Sequence, residues 1–175
     1  MDDPLVRQRG TGVKVSPWLF YCWCLPLTIA IILESLTDTM AKATVAAVVT
    51  PEIGNRRSVL LTRRSVAPFM GSWCLPGGHI DDFETAADAI RREVSEETGL
   101  DFMPDGCIGW FEEIFPEHRF HAVALAFQGT GSGTLRSQPD EVSEIGWFAL
   151  EEALSMPLAF NHNLVLQHYA RSLTQ

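Results

Sequence analysis

The sequence predicts an α/β fold in which a compact sheet is covered on both faces by helices. Three observations carry this reading. From Ala43 onward, short β-branched apolar runs alternate with Gly, Pro and Asn turn residues. One strongly periodic helical segment lies between glycines, and a second helical segment follows the last strand-like run. With 175 residues and 46% hydrophobic content, the chain fits a one-domain prior and can bury a true core.

Taken in order, residues 1–39 read as a separate N-terminal segment and 40–175 as the folded domain. The middle of the first segment, "PWLFYCWCLPLTIAIIL" at 17–33, is almost wholly apolar and near the lower length limit for a membrane anchor. Pro26 interrupts it. A signal peptide fits less well, because Asp2 and Asp3 precede the basic residues and the nearest A-x-A, Ala41 to Ala43, lies beyond the apolar run. The alternative is an upstream mis-assigned start, with translation beginning at Met40. "ATVAAVVT" (43–50) and "SVLLTRR" (58–64) read as strands of a hairpin joined by the turn "PEIGNRR". A helix is expected over 85–98. Segments 107–115 and 120–128 are strand-like, with "PEHR" as the turn between them. The Gly/Ser-rich stretch 128–141 reads as a loop, "SEIGWFAL" (143–150) as a further strand, and 161–173 as the last helix. The chain shows no internal repeat.

Charge narrows the chemistry. Thirteen Lys and Arg against 22 Asp and Glu give a formal net charge of −9, a surface that repels nucleic acid as a bulk polyanion. Phosphate chemistry here must work through a local site or a bound cation. Cys22, Cys24, Cys74 and Cys107 have neither zinc-finger spacing nor the density of a disulfide framework, so a reducing, cytoplasmic compartment is expected unless 17–33 is an anchor.

The stretch "LPGGHIDDFETAADAIRREVSEETGL" (75–100) is the most informative. Phe83, Ala87, Ile90 and Val94 recur at spacings of three and four, an apolar stripe to set against a sheet. Thr85 with Asp88 forms a capping pair at the start, and Gly99 suits the left-handed residue that ends a helix. On that helix Glu93, Glu96 and Glu97 stand at i, i+3 and i+4 and must converge on one patch. Like charges so spaced cost about 0.2–0.5 kcal/mol per pair, and the helix C-terminus disfavours them further. A solvated acidic face, neutralised in part by Arg91 and Arg92, is one reading. The other is a divalent-cation site, since hard cations take carboxylate and carbonyl oxygens, and Gly77 and Gly78 let a loop backbone come close.

Gly78, five residues, Glu84, seven residues, then Arg92-Glu93-Val94-Ser95-Glu96-Glu97-Thr98-Gly99-Leu100 matches every specified position of the Nudix box, Gly-x5-Glu-x7-Arg-Glu-U-x-Glu-Glu-x-Gly-U, where U is bulky and aliphatic. The chain from about Ala43 to Ala170 resembles the Nudix hydrolase family, and "GSWCLPGG" and "EIGWFALEEAL" are similar to what that family carries around its box. The resemblance implies a Nudix-type α/β/α sandwich with a mixed β-sheet, acting as a Mg²⁺- or Mn²⁺-dependent pyrophosphatase on a nucleoside diphosphate linked to another group. It implies Glu93 and Glu97 as principal metal ligands, Glu96 as ligand or water-activating base, and the Gly77 carbonyl as a further ligand. Arg92 would orient the glutamates, Glu84 would support them, and Gly78 and Gly99 would be structural. The favoured partner is a small nucleotide derivative such as ADP-ribose. An oxidised nucleoside triphosphate, as in the MutT branch, and a nucleotide-sensing domain without turnover are the alternatives, and a homodimer stays open.

Outside the box, Glu141 or Glu144 is the second candidate for the base, and Glu112, Glu113 and Glu117 are further acids that read more simply as exposed. Arg63 and Arg64 end a strand facing the glycines, where either could reach a substrate phosphate. His118 and His121 flank Arg119 at a strand turn and are hydrogen-bonding residues before they are catalytic ones. Trp73, Trp110, Trp147 and Phe115 could stack on a base but read first as core. His162 reads as a helix-entry residue.

Overall fold

The computed structural model describes residues 40–54 and 56–174. The expected N-terminal segment 1–39, with its candidate anchor at 17–33 and with Cys22 and Cys24, lies outside the described residues. Among the described residues no helix is long and apolar enough to cross a membrane.

The strands are β1 (Lys42–Pro51), β2 (Ser58–Arg64), β3 (Trp73–Cys74), β4 (Gly77–His79), β5 (Leu100–Phe115), β6 (Phe120–Gly133) and β7 (Val142–Ala149). The helices are α1 (Ala86–Thr98), α2 (Leu150–Ser155) and α3 (His162–Ser172), with a 3-10 turn at Pro116–His118. One sheet has the order β4-β1-β6-β5 and the other β3-β2-β7. The first is mixed, as expected: β1 runs parallel to β6 and antiparallel to β4.

The expected β1–β2 hairpin does not form. The two strands belong to different sheets, and β1 lies between β4 and β6. Its physical reason is visible in β1 itself, where Thr44 to Thr50 are all buried. A strand buried on both faces belongs in a sheet interior with both edges paired.

Alternation along β1 and β2 builds the layers. Val45, Ala47 and Val49, with Leu60, pack on one side against Ala89, Ile90 and Val94 of α1. Ala46 and Val48, with Val59 and Leu61, face Leu150 and Ala153 of α2 and Val165, Leu166 and Tyr169 of α3 on the other. Both sheets thus share two cores and form the middle layer of an α/β/α sandwich. Burying each large aliphatic residue contributes about 1.5–3 kcal/mol.

Three boundaries differ from expectation. β5 begins at Leu100 and carries bulges at Pro104/Gly106 and Cys107/Gly109. Leu100 and Phe102 face α1, whereas Ile108 and Phe111 join the opposite core, so simple alternation is broken where the bulges re-aim the strand. β6 continues to Gly133 through glycines that read as loop, because Gly129 and Gly131 sit where a Cβ would strike Met103 O or Val49. Phe83 is not part of the α1 stripe: it precedes the helix at φ 64 and is fully exposed, and Ala86 packs against the core at that end.

Candidate active site

α1 is positioned by its ends. Thr85 Oγ1 accepts from the Asp88 N–H at 3.2 Å, and Gly99, at φ 72, donates its N–H to Ser95 O. Both features match the sequence expectation. With Ile90 and Val94 locked in the core, Glu93 and Glu97 are carried to the sheet side of the helix and are themselves buried, whereas Glu96 stays exposed.

β4 supplies the opposing wall. Gly77 has φ +152, and a Cβ there would come within 2.1 Å of Val45 O. At Gly78 a Cβ would fall 2.5 Å from the Glu93 carboxylate. Only glycines allow this backbone to lie against both β1 and the glutamates. The Gly77 N–H donates to Glu97 Oε2 at 3.3 Å.

Arg92 organises the acids. Its Nε and Nη2 each hold a Glu84 oxygen at 2.9 Å, a bidentate pair. Nη1 reaches Glu93 Oε1 at 2.9 Å and Glu96 Oε2 at 3.1 Å, and Nη2 also donates to His79 O at 3.0 Å. These bonds hold the Arg92 proton more tightly than usual and pull Glu84 below the usual carboxylate range. Among the described residues no three His, Cys, Asp or Glu side chains already converge on one point as a metal site would.

The walls enclose a cavity of about 400 Å³. Five carboxylates, Asp81, Glu93, Glu96, Glu97 and Glu141, line it against two arginines, Arg64 and Arg92. Glu97 is 6% exposed, and burial followed by the nearby Glu93 charge outweighs the Gly77 hydrogen bond and pushes it up to about 8. Burial raises Glu93 as well, with Arg92 opposing. The protein alone therefore does not compensate these charges, and this donor set fits a bound divalent cation.

Of the flanking candidates, the structure brings Glu141 and Arg64 to the cavity. Arg64 donates from Nε to Pro68 O at 2.8 Å and lies 5.0 Å over the Phe160 ring. Arg63, on the alternate face of β2, pairs with Glu144 and donates to Gly71 O. Glu112 and Glu117 are exposed, as is His121, and His118 packs on Phe69 with centroids 4.5 Å apart. Trp73 stacks edge-on against Phe148, Trp110 is exposed, Trp147 is partly so, and Phe115 joins Phe69, Phe120 and Phe160 in an aromatic cluster. Glu113, read as an exposed acid, is buried under α3.

Three features escaped sequence reasoning: the Gly77–Glu97 hydrogen bond, the aromatic cluster with Phe69 at φ 62 and Phe160 at φ 54, and the burial of Glu113 and His162. Each depends on contacts between segments far apart in the chain, and one strand or helix pattern carries no signal for them. Cys74, also in the cavity wall, is a buried thiol pushed up to about 11, which makes it an inert packing group.

An α/β/α sandwich with a carboxylate-rich pocket between a glycine strand and a helix has a donor set suited to a hard divalent cation. The NUDIX domain family model matches residues 40–169, and the chain belongs to the Nudix family. An ADP-ribose pyrophosphatase of Methanocaldococcus jannaschii is 32% identical over 114 residues, covering 65% of this chain and 66% of that protein. An m7GpppN-mRNA hydrolase of Danio rerio is 34% identical over 110 residues, covering 52% of this chain and 37% of that protein. The chain thus spans just under two thirds of the first of these curated relatives and little more than a third of the second. The crystal structure of a MutT NUDIX hydrolase from Burkholderia pseudomallei superposes with a TM-score of 0.66 at 29% identity, covering 74% of this chain and 98% of that one.

Proposed function

We propose that the protein hydrolyses a nucleoside diphosphate joined to a second group, with ADP-ribose the favoured substrate and Mg²⁺ or Mn²⁺ as cofactor. The observation that carries this reading is the excess of carboxylates in the cavity, with Glu97 buried and under-neutralised. An acidic pocket holds a diphosphate only when cations stand between them. The choice of ADP-ribose rests on the resemblance to the archaeal pyrophosphatase.

Glu93 and Glu97 hold the cation, with the Gly77 carbonyl as a further oxygen donor. Bound there, the cation supplies Lewis-acid neutralisation of the diphosphate oxygens. Arg92 fixes Glu93 and Glu96 in orientation through its bonds to both and through its anchor on Glu84. Arg64 lines the same cavity as the glutamates, which supports a role for it in holding a substrate phosphate. Water attacks one phosphorus, its proton passes to Glu96, and the bridging P–O bond breaks to release two phosphomonoesters. Glu141, also in the wall, is the alternative proton acceptor.

A second reading, hydrolysis of an oxidised nucleoside triphosphate, draws support from the likeness to the Burkholderia MutT structure. One experiment separates the two. The chain is incubated with ADP-ribose, with a GDP-sugar and with an oxidised deoxyguanosine triphosphate, in Mg²⁺ or Mn²⁺, and products are resolved by chromatography. AMP and ribose 5-phosphate from ADP-ribose are expected. Glu97→Gln should lower turnover by about 100-fold or more, the scale of losing a group that stabilises transition-state charge. An unchanged rate in that variant would overturn the assignment, and cleavage of the triphosphate alone would favour the second reading.

A further inference from the structure

Gly77 and Gly78 form the cavity wall opposite the glutamates, reached through Leu75 and Pro76, yet the two glycines have no side chains with which to anchor it. Hydrogen bonds must hold it instead. Pro76 O accepts from the Ala47 N–H at 2.8 Å, and the Gly77 N–H meets Glu97. The glycines are also paired with β1, Gly77 with Ala46 and Gly78 with Val45, and a further tether comes from far along the chain: the Leu75 N–H donates to His162 Nδ1 at 2.9 Å.

His162 is the first residue of α3 and is 6% exposed. Because Nδ1 accepts, the ring proton sits on Nε2, which faces Glu113 Oε1 at 3.7 Å. Burial drives His162 down to about 3, so this approach sets a neutral imidazole N–H beside a carboxyl and is not an ion pair. Glu113 Oε1 is buried without a hydrogen-bond partner among the described residues, and the Glu113 carboxyl also accepts from the Asn161 backbone N–H. Asn161 in turn donates from Nδ2 to Glu112 O. The start of α3 is thereby fastened to β5, with the imidazole directed at the strip that leads into the glycines. A buried carboxyl with an unpartnered oxygen is a costly feature to retain for packing alone.

We infer that His162, backed by Glu113, is a positioning residue for the hydrolytic site: it holds Leu75 so that Gly77 meets Glu97 at the cation-holding face. This rests on the proposed function, and it adds to that reading a residue 65 positions beyond Glu97.

The test uses the full chain and three variants. His162→Phe keeps a ring and removes the acceptor. His162→Asn places Oδ1 about where Nδ1 stands and should restore the Leu75 bond. Glu113→Gln keeps the volume: its oxygen stays with the Asn161 N–H, its NH₂ faces Nε2, and the imidazole must shift its proton to Nδ1, releasing Leu75. Amide exchange at Leu75 and Gly77, the ¹⁵N shifts of the His162 ring, free-Mn²⁺ titration by electron paramagnetic resonance and kcat with KM are measured.

In His162→Phe and Glu113→Gln, exchange at Leu75 and Gly77 should quicken, and Mn²⁺ affinity and kcat should each fall roughly tenfold, as for other groups that orient ligands. KM for ADP-ribose should hold, and His162→Asn should recover most of the loss. Wild-type exchange, Mn²⁺ affinity and kcat in both impaired variants would overturn the inference, as would equal damage by Phe and Asn. If His162→Phe does not fold, Glu113→Gln decides alone. Normal turnover in Glu97→Gln would instead remove Glu97 from the cation-holding face, while amide exchange at Leu75 would still report on the tether.

Discussion

Gly77 and Gly78 stand side by side yet forbid a side chain for different reasons. At Gly77 a methyl group meets the β1 backbone, and φ +152 is strained for any L residue. At Gly78 it meets only the Glu93 carboxylate, which can swing away. Gly77→Ala should therefore lower stability by about 1–3 kcal/mol, as overpacking against fixed backbone does, whereas Gly78→Ala should fold nearly normally and lose activity. Thermal melts beside turnover assays would separate the two, and equal melting losses would contradict the geometry. Glu113 carries a pH signature. Its folded carboxyl is raised to about 7 by burial, against 4.5 unfolded, so its contribution is fully present below about pH 4.5 and is lost as pH rises through 7. The loss is about 3 kcal/mol, and Glu113→Gln should abolish it. Melting the two proteins at pH 5 and pH 8 checks this: only the wild type should lose stability on the alkaline side through this group. Glu93, Glu96 and Glu97 were legible in the sequence because identity and spacing on one helix suffice to gather them. Glu113 was not, because its burial is decided by α3, some fifty residues later.

At the scale of the element, α1 shows both what periodicity carries and where it stops. Its caps and its inner residues Ile90 and Val94 stand where the pattern put them, because capping and amphipathicity are local properties. Phe83 fits the same spacing but lies outside the helix, and spacing alone cannot tell a first turn from the residues before it. Ile90→Ala should cost about 2–5 kcal/mol, the usual range for emptying a fully buried site, and Thr85→Ala about 1 kcal/mol through the lost cap. Chemical denaturation of the two variants would test this order; a cap loss larger than the core loss would contradict it. β1, β2, β7 and parts of β5 and β6 were legible as strands, but the short β3 and β4 were not, and neither were the partners of any strand. Nothing in "ATVAAVVT" says that its neighbour is β6, and the β5 bulges erase the alternation that would have marked its first half.

For the whole molecule, the sandwich sets a carboxylate-rich cavity into a chain whose formal net charge is −9. Cation binding and folding are then linked. At 100 times its dissociation constant, Mg²⁺ or Mn²⁺ should stabilise the protein by about 2.7 kcal/mol, the gain should vanish with a chelator, and Glu97→Gln should remove most of it. Calorimetry of both proteins with and without cation would show this, and an equal gain in the variant would place the cation elsewhere. The layered class was legible because strand-like and helix-like periods differ; the division into two sheets with shared cores was not, since it depends on which edges meet.

The parallel pairing of β1 with β6 also orders events in time. Lys42 finds its register partner only at Ala122, so during synthesis the most apolar strand of the domain waits while about 80 further residues are made. At ribosomal rates of about 5–20 residues per second, that interval is roughly 4–16 s. Through it the Glu-rich helix can already coil and β4 can pair with one edge of β1, but the other edge of β1 has no partner. The nascent chain carries an unpaired β1 edge, and the cavity forms only when β6 has emerged and closed against it.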